Sequence, residues 1–565
     1  MDAEPEPSAP HPAEAATPLA SRFSATRARI VAKGCLGARL IVDGEQELGP
    51  GVPLSHSAVE LRDDAGLVKI TVSPGQHPSW AGAATLTLEC GSSTAAADWA
   101  ERIAAANAAE DQKVWGVSGR FLESEKARFE ALVEEGGGEL DVFSLAERLG
   151  IVGQLRSECE GRAWDNDWSE VQARMRATPV QDMMLSDLMD IYKFAGGGDA
   201  PYGQGRLRGQ KIAFADQLTL EDAASGGPAR VGTATAFFSH PWKMRAREFF
   251  EVCVTAFGAE DFVWIDLYMH NQFSGTLGSE YWIDRFAGLV ERIGKVVAVL
   301  TPWHDPIPLK RMWCLFELVC AMQGKGKGVT LELVLSEGER TSLIAAVRGD
   351  FTAVRKMLVD VSIGKAEATV PQDKDLIWAQ VMKLPNQDHG CNVELKILLR
   401  AWVFETLRQA VVDEEARSAA SEGGALEFAS FANQVAVIFD DDGNYEEALR
   451  LYDRALKSYE QALGPDHPDT AATVNNIAIV HQAQGNYEEA LRLYDRALKS
   501  REQALGPDHP RTADTVYNIA LVHKAQGNKQ EAKAMFLRCE RAYAQAYGPQ
   551  HSETVDARER AASCE

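Results

Sequence analysis

The chain changes its hydrophobic rhythm several times. Between residues 25 and 110 apolar and polar positions alternate in short runs, ARIVAKG, GARLIVDG, AVELRDD, LVKITVSPG and ATLTLEC, divided by Gly, Asp and Pro. A period of two is that of half-buried strands. A helical stretch, AAADWAERIAAANAA, closes the segment. Residues 111–200 then carry helical spacing in SEKARFEALVEE, DVFSLAERLG, EVQARMRATP and DMMLSDLMDIYKFA. They read as a helical spacer, and the Gly-rich punctuation after them makes 201–230 a linker.

From 231 the rhythm alternates between the two periods. TATAFFSH, FVWIDLYM, KVVAVLTPW and VTLELVLS are apolar runs of strand length, and MRAREFFEVCVTAF, WIDRFAGLVERIG and RMWCLFELVCAM between them repeat at helical spacing. Such alternation over 231–336 predicts a flavodoxin-like parallel sheet with helices on both faces. Functional groups then belong at the carboxyl ends of the strands, which here are Ser239-His240-Pro241-Trp242, Asp266 and Thr301-Pro302-Trp303. Residues 337–426 continue as a helical connector.

The last third is periodic at a larger scale. GNYEEALRLYDRALKS stands at 443–458 and again, letter for letter, at 485–500, and a looser copy begins at Gly527-Asn528, a period of 42 residues. Gly-Pro-Asp-His-Pro begins at 464 and 506, and Gly-Pro-Gln-His at 548. A fixed period of this size means stacked supersecondary units. Each unit holds two helices, so 427–552 predicts six antiparallel helices packed consecutively, an α-solenoid of helical hairpins. Small residues recur where the helices must approach, Ala436, Ala478 and Ala520 in the first helix and Ala448, Ala490 and Ala532 in the second, beside an aromatic column of Tyr452, Tyr494 and Phe536. Residues 553–565 read as a cap or tail.

Composition removes several classes of function. With 58 Lys and Arg against 82 Asp and Glu the formal charge is −24, a field that argues against nucleic acid and against a basic membrane-docking face. No apolar run approaches the roughly 18 residues of a membrane span. The nine cysteines form no CxxC pair and no zinc spacing, which reads as reduced thiols in a cytoplasmic protein. His240, His270 and His304 share no spacing that builds a metal site. Residues 1–24 open acidic and Pro/Ala-rich without a signal-peptide core and read as a disordered leader.

Three resemblances follow from these residues. The 42-residue period with NNIA and LGPDHP resembles the tetratricopeptide repeats of kinesin-light-chain type. That implies a protein or peptide ligand in the repeat groove, where Asn433 and Asn475 share one column and Tyr517 takes the third place. Carboxamides donate and accept at once, which suits a peptide backbone. The strands of 25–110 with a helix carrying Trp99 resemble a pleckstrin-homology domain, a bent β-barrel with a capping helix. Its seven Lys and Arg against ten Asp and Glu lack the basic cluster that would grip a phosphoinositide.

The central pieces FFSH, WID, VVAVLTP and Trp313-Cys314-Leu315-Phe316-Glu317 resemble a divergent Toll/interleukin-1 receptor (TIR) domain. Thr301 stands where that family usually has Ser, and PWHDPIPLKR replaces a Tyr/Ser-rich approach. TIR-like folds serve in assembly by self-association. The catalytic members cleave NAD, and the resemblance then implies Glu317 as the carboxylate that stabilises positive charge on the ribose, with Ser239, Trp242 and Asp266 lining the cofactor cleft. The expected function is a multidomain signalling scaffold that binds protein partners through its repeats. A TIR-type NAD nucleosidase regulated by those repeats is one alternative, and a kinesin-light-chain-like cargo adaptor is another.

Overall fold

The computed structural model describes the strands lying between 19 and 89 by their backbone, then residues 114–194 and 229–564, with breaks at 137–139, 162–166, 270–278, parts of 350–360, 369–370, 385–386, 420 and 422, and with 215 and 218 singly. The chain divides into two compact units, one of Met1–Arg340 with Asp360–Lys396 and one of Thr341–Val359 with Ile397–Glu565.

Among the described residues seven strands precede residue 90: β1 Leu19–Ser24, β2 Ala28–Ala32, β3 Ala38–Val42, β4 Val52–Pro53, β5 Ala58–Arg62, β6 Leu67–Val72 and β7 Ala84–Glu89. They pair as β1-β7-β6-β5 and as β2-β3-β4. The β1–β7 pair is parallel and the others antiparallel. Five of the alternating runs coincide with β2, β3, β5, β6 and β7. The leader expected through residue 24 gives way at Leu19, because Leu19, Ser21 and Phe23 alternate with Ala20, Arg22 and Ser24 and pair with β7. The helix around Trp99 lies outside the described residues, as does most of 201–230.

The central sheet has six strands: β8 Trp115–Ser118, β9 Val231–Thr233, β10 Ala236–Ser239, β11 Phe262–Trp264, β12 Lys295–Val299 and β13 Thr330–Val334, in the order β13-β12-β10-β11-β8-β9. From β13 to β11 the pairs are parallel. The strand order reverses at β10 and β12, a topological switch point. The sheet is mixed rather than parallel throughout, because β8 and β9 add antiparallel pairs at one edge. Both antiparallel strands correct the sequence expectation. The stretch TATAFFSH is not one strand: the Ala234 amide bonds the Val114 carbonyl and the Thr235 amide the Phe262 carbonyl, so the chain steps from edge to centre.

Strand β8 comes from the stretch expected to be a helical spacer, and described helices of that stretch share a core with the sheet. Helix Gly119–Glu135 is capped by the Ser118 hydroxyl, which accepts from the Phe121 amide at 3.2 Å. Its Phe121, Leu122 and Phe129 share one core with Phe249, Phe250 and Val252 of helix Ala246–Ala256. Phe129 and Phe250 lie 5.8 Å apart, ring to ring. Each such buried side chain contributes about 1.5–3 kcal/mol, so residues 119–194 and the sheet stabilise one another.

The C-terminal helices run Gly424–Asp441, Tyr445–Leu463, Pro468–Ala483, Tyr487–Leu505, Pro510–Ala525 and Lys529–Tyr547. Each packs on the next, and first helices of successive units also touch, as the 42-residue period requires. The repeated alanines fill these contacts, being buried to 0% exposure at Ala436, Ala478, Ala520, Ala448, Ala490 and Ala532. Helix Ser552–Ala562 packs on the last of them. Its Glu553, Asp556, Arg558, Glu559 and Arg560 give it the polar character of a solenoid cap.

The recurrent GPxHxxT punctuation has a physical account. Gly464, Gly506 and Gly548 sit at φ 91–97° and ψ 160–164°, a region open in practice to glycine alone. Six residues on, Thr470, Thr512 and Thr554, all fully buried, donate their hydroxyls to those glycine carbonyls at 2.9 Å. Pro468 and Pro510 start the following helices where a missing amide costs nothing. We expect Gly506→Ala to destabilise the repeats by about 1–3 kcal/mol, read as an earlier midpoint in urea unfolding followed by circular dichroism. Loss of less than a few tenths would mean the turn relaxes freely.

Candidate functional site

The carboxyl ends of the parallel strands meet one helix. Glu317 lies in the second turn of helix Met312–Gly324, which follows β12 and a short 3-10 turn, Ile307–Lys310. That helix is apolar almost all round, with Cys314, Leu315, Phe316, Leu318 and Val319 buried, so its burial fixes where the carboxylate emerges. Ser239 closes β10 and is 1% exposed. Its hydroxyl donates to Glu317 Oε2 at 2.5 Å.

A second set of contacts adjoins this pair. The Trp242 indole donates to Asp266 Oδ2 at 2.5 Å. His240, 6% exposed, places Nε2 3.3 Å from Asp266 Oδ1, while its Nδ1 donates to the Phe238 carbonyl at 3.2 Å. The His240 ring stacks 5.3 Å from Phe238 and tilts 5.1 Å from Phe249. The Cys314 thiol reaches the His240 carbonyl at 3.7 Å. The residues at 239, 242, 266 and 317 are therefore brought together at the switch point, and His240 joins them through Asp266.

Electrostatics mark Glu317 out. Burial, first of all, pushes its carboxyl up to about 8, and the nearby Asp266 carboxylate adds to the effect. The Ser239 hydroxyl and the Arg311 guanidinium oppose it. Of the neighbouring cations in sequence only Arg311 acts on Glu317, since Arg245 turns to Asp182 at 3.6 Å. The Cys314 thiol is driven far up by burial, so it is no nucleophile at neutral pH. Trp313 faces elsewhere: its indole donates to Asp373 Oδ2 at 2.8 Å, which gives it a packing role.

Sequence reading did not find a neighbouring constellation. Glu248 accepts from the hydroxyls of Thr301 at 2.6 Å and Ser336 at 3.1 Å, and burial raises its carboxyl. Glu339 caps the Trp303 amide at 2.6 Å. Thr301, where the resembled family has Ser, thus ties β12 to helix Ala246–Ala256. These partners lie 53 and 88 residues from Glu248, and no local spacing announces them.

In the repeats, Asn433 and Asn475 occupy the same position of successive units. The Oδ1 atoms of both are buried without a hydrogen-bond partner, as is Oε1 of Gln434, and Asn475 is 5% exposed. Tyr517 departs from the column, donating its hydroxyl to Asp556 of the capping helix. Among the described residues no group of three or more His, Cys, Asp or Glu side chains is placed to hold a metal ion. None of the described helices is long and apolar enough to cross a membrane. Cys159, Cys253, Cys314, Cys320, Cys391, Cys539 and Cys564 are buried and form no disulfide among the described residues.

The tetratricopeptide repeat family matches residues 427–498 and 469–545. Among curated proteins none matches the chain. Similar solved structures include the nearly identical TPR-like repeats of a putative kinesin light chain from Podosopora anserina, at 20% identity over 31% of this chain and 77% of that one, with a TM-score of 0.25. A single-substitution form of those repeats gives 18% identity over the same shares, with a TM-score of 0.26. BtubC (BKLC) from P. vanneervenii gives 14% identity over 40% of this chain and 90% of that one, with a TM-score of 0.23. The family match, the 42-residue period and the stacked hairpins agree: the C-terminal helices are tetratricopeptide repeats, an architecture whose business is binding protein partners.

Proposed function

We propose that this chain is a cytoplasmic scaffold that holds a protein or peptide partner on its repeats and assembles through a TIR-like central domain, with a pleckstrin-homology-like region before it. The observation that carries the reading is the pair of buried, unpartnered carboxamide oxygens at Asn433 and Asn475, one repeat apart. A buried acceptor without a donor is costly, and the amides of an extended peptide would relieve it at the repeat spacing. Asn433→Ala with Asn475→Ala should weaken capture of partners from a cell extract while leaving helicity unchanged. Each lost contact costs about 1 kcal/mol, so the pair amounts to roughly thirtyfold in Kd. Unchanged capture would move binding to another surface.

A second reading, NAD cleavage at the switch point, is favoured by one observation: a partly buried Glu317 held by Ser239, with Trp242 and Asp266 beside it. Departure of nicotinamide builds positive charge on the ribose, which the carboxylate would stabilise. Trp242 supplies an aromatic face, and Asp266 fixes its indole. The assay is nicotinamide release from NAD by the concentrated full chain. No release leaves the central domain an assembly module.

A further inference from the structure

Within the repeat-bearing unit, a cavity of about 300 Å³ is lined by Arg348, Leu426, Glu427, Ser430, Phe431 and Gln434. Five of these are on helix Gly424–Asp441 and recur at helical spacing, so one face of that helix forms the floor. Arg348 comes from helix Glu337–Gly349, outside the repeats. Its guanidinium lies over the Phe431 ring, 4.8 Å from the centroid, and pairs with the buried Glu414 at 2.7 Å. Glu414 also pairs with Arg417, so the carboxylate is shared between two guanidiniums, and Arg348 keeps further N–H donors beyond this one contact. Gln434 contributes a buried carboxamide oxygen with no partner.

We propose that this cavity is an anchor pocket for one bulky apolar side chain, aromatic or long aliphatic, of an extended partner peptide. The inference rests on the protein-binding reading of the repeats and adds where the peptide is gripped and by which kind of residue. Three features select that occupant. The volume stands at the lower edge of small-molecule sites, roughly 300–1,000 Å³, so it suits a single side chain better than a nucleotide. Leu426 offers an apolar floor beside the buried Phe431, whose ring the Arg348 guanidinium covers, a surface that favours a planar or aliphatic group. The Gln434 carboxamide at the wall can accept a main-chain N–H, and the Asn433 and Asn475 oxygens continue unpartnered acceptors along the same series of helices.

The test probes the full chain with an array of random dodecapeptides. Wild type should select peptides sharing one aromatic or long aliphatic residue at a fixed position. Ser430→Trp places an indole in the cavity from an exposed position and should lower binding of those peptides roughly tenfold or more, as should Gln434→Ala more weakly. Asn475→Ala should reduce binding of the selected peptides whatever their anchor residue. Selected peptides without a shared apolar residue, bound equally by Ser430→Trp, would overturn the pocket while leaving the groove reading intact. No selection at all would overturn both. Unaltered far-ultraviolet circular dichroism of each variant keeps loss of binding distinct from loss of fold.

Discussion

Glu317→Gln should make the chain more stable at pH 8 and leave it unchanged near pH 5. In the folded protein burial pushes the Glu317 carboxyl up to about 8, from an ordinary value of 4.5. An unfolded chain therefore releases a proton between those pH values that the folded chain retains. The stabilisation tied to this proton is complete below about 4.5 and is lost as pH rises through about 8. Glutamine cannot ionise, and its amide oxygen can still accept from the Ser239 hydroxyl. The advantage of the variant at alkaline pH should be of order 2–4 kcal/mol, since each tenfold change in proton affinity is worth about 1.4 kcal/mol. Thermal unfolding followed by tryptophan fluorescence at the two pH values reads it. The same substitution should abolish any nicotinamide release, by about a hundredfold or more for a charge aimed at the transition state. Release by the wild type should rise with pH toward 8 as the carboxylate forms. A variant less stable than wild type at pH 8, or equally displaced at both pH values, would show that Glu317 is held as an ordinary ionised carboxylate.

A site whose key residue destabilises the fold at working pH is one the fold would not keep for packing alone. That is why the pH experiment bears on the assembly reading as well. If Glu317 is removed with a gain in stability and no change in any activity or association, the Trp313–Glu317 helix is packing and its carboxylate an accident of register.

How far the sequence foretells this structure depends on the range of the interactions. The repeats are legible because everything that shapes them is local and recurs: glycine at φ near 90°, a threonine six residues on, alanines at the crossings. The parallel strands are legible as apolar runs, and Ser239 falls where β10 stops, but β11 ends at Trp264 and Asp266 opens a short helix, Asp266–Met269, within the run that reads as one strand. The sheet's antiparallel edge is not legible. Trp115–Ser118 is four residues long and pairs with Phe262–Val263 and Val231–Thr233, more than a hundred residues away, so no window of sequence contains the pairing. For the same reason the Glu248–Thr301–Ser336 contacts and the reach of Arg348 onto Phe431 have no local signature.

The connector meets the first hairpin through a link that the repeats themselves use. Arg496 pairs with Glu460 and Arg538 with Glu502, each bridging the second helices of neighbouring units. Arg454, the equivalent of both, pairs with Glu415 of helix Gln387–Ser418 at 2.5 Å. Glu415 thus supplies the carboxylate that a preceding unit's second helix would supply, without sharing its sequence. Exposed ion pairs of this kind contribute little energy individually. Their regularity instead shows the same Arg–Glu link recurring past the point where the sequence repeat stops.

Arg501→Ala should damage the repeats severely, and Arg501→Tyr should restore or exceed wild-type stability. The 42-residue column through this position reads Tyr459, Arg501, Tyr543. Arg501 is 7% exposed, and its Nη1 donates to the Arg511 carbonyl and the Thr515 hydroxyl, both at 2.7 Å. Burial, its largest influence, pulls the guanidinium below its ordinary range, while Asp514 favours the charge. Truncation to alanine removes these donors, leaves a cavity and strands a carbonyl and a hydroxyl, a cost of about 3 kcal/mol. Tyrosine fills the space with the residue the neighbouring units already use. In the last unit its hydroxyl donates to Asp514 at 2.7 Å, so the fold demonstrably accepts it there. It also takes a charge out of the interior, and replacing a buried ion by packed side chains is often neutral or stabilising by about 1–4 kcal/mol. Urea midpoints of the three proteins, followed by circular dichroism, should rank alanine well below wild type and tyrosine level with it or above. A tyrosine variant as weak as alanine would mean that the bonds to Arg511 and Thr515, rather than the filled volume, hold the second and third hairpins together.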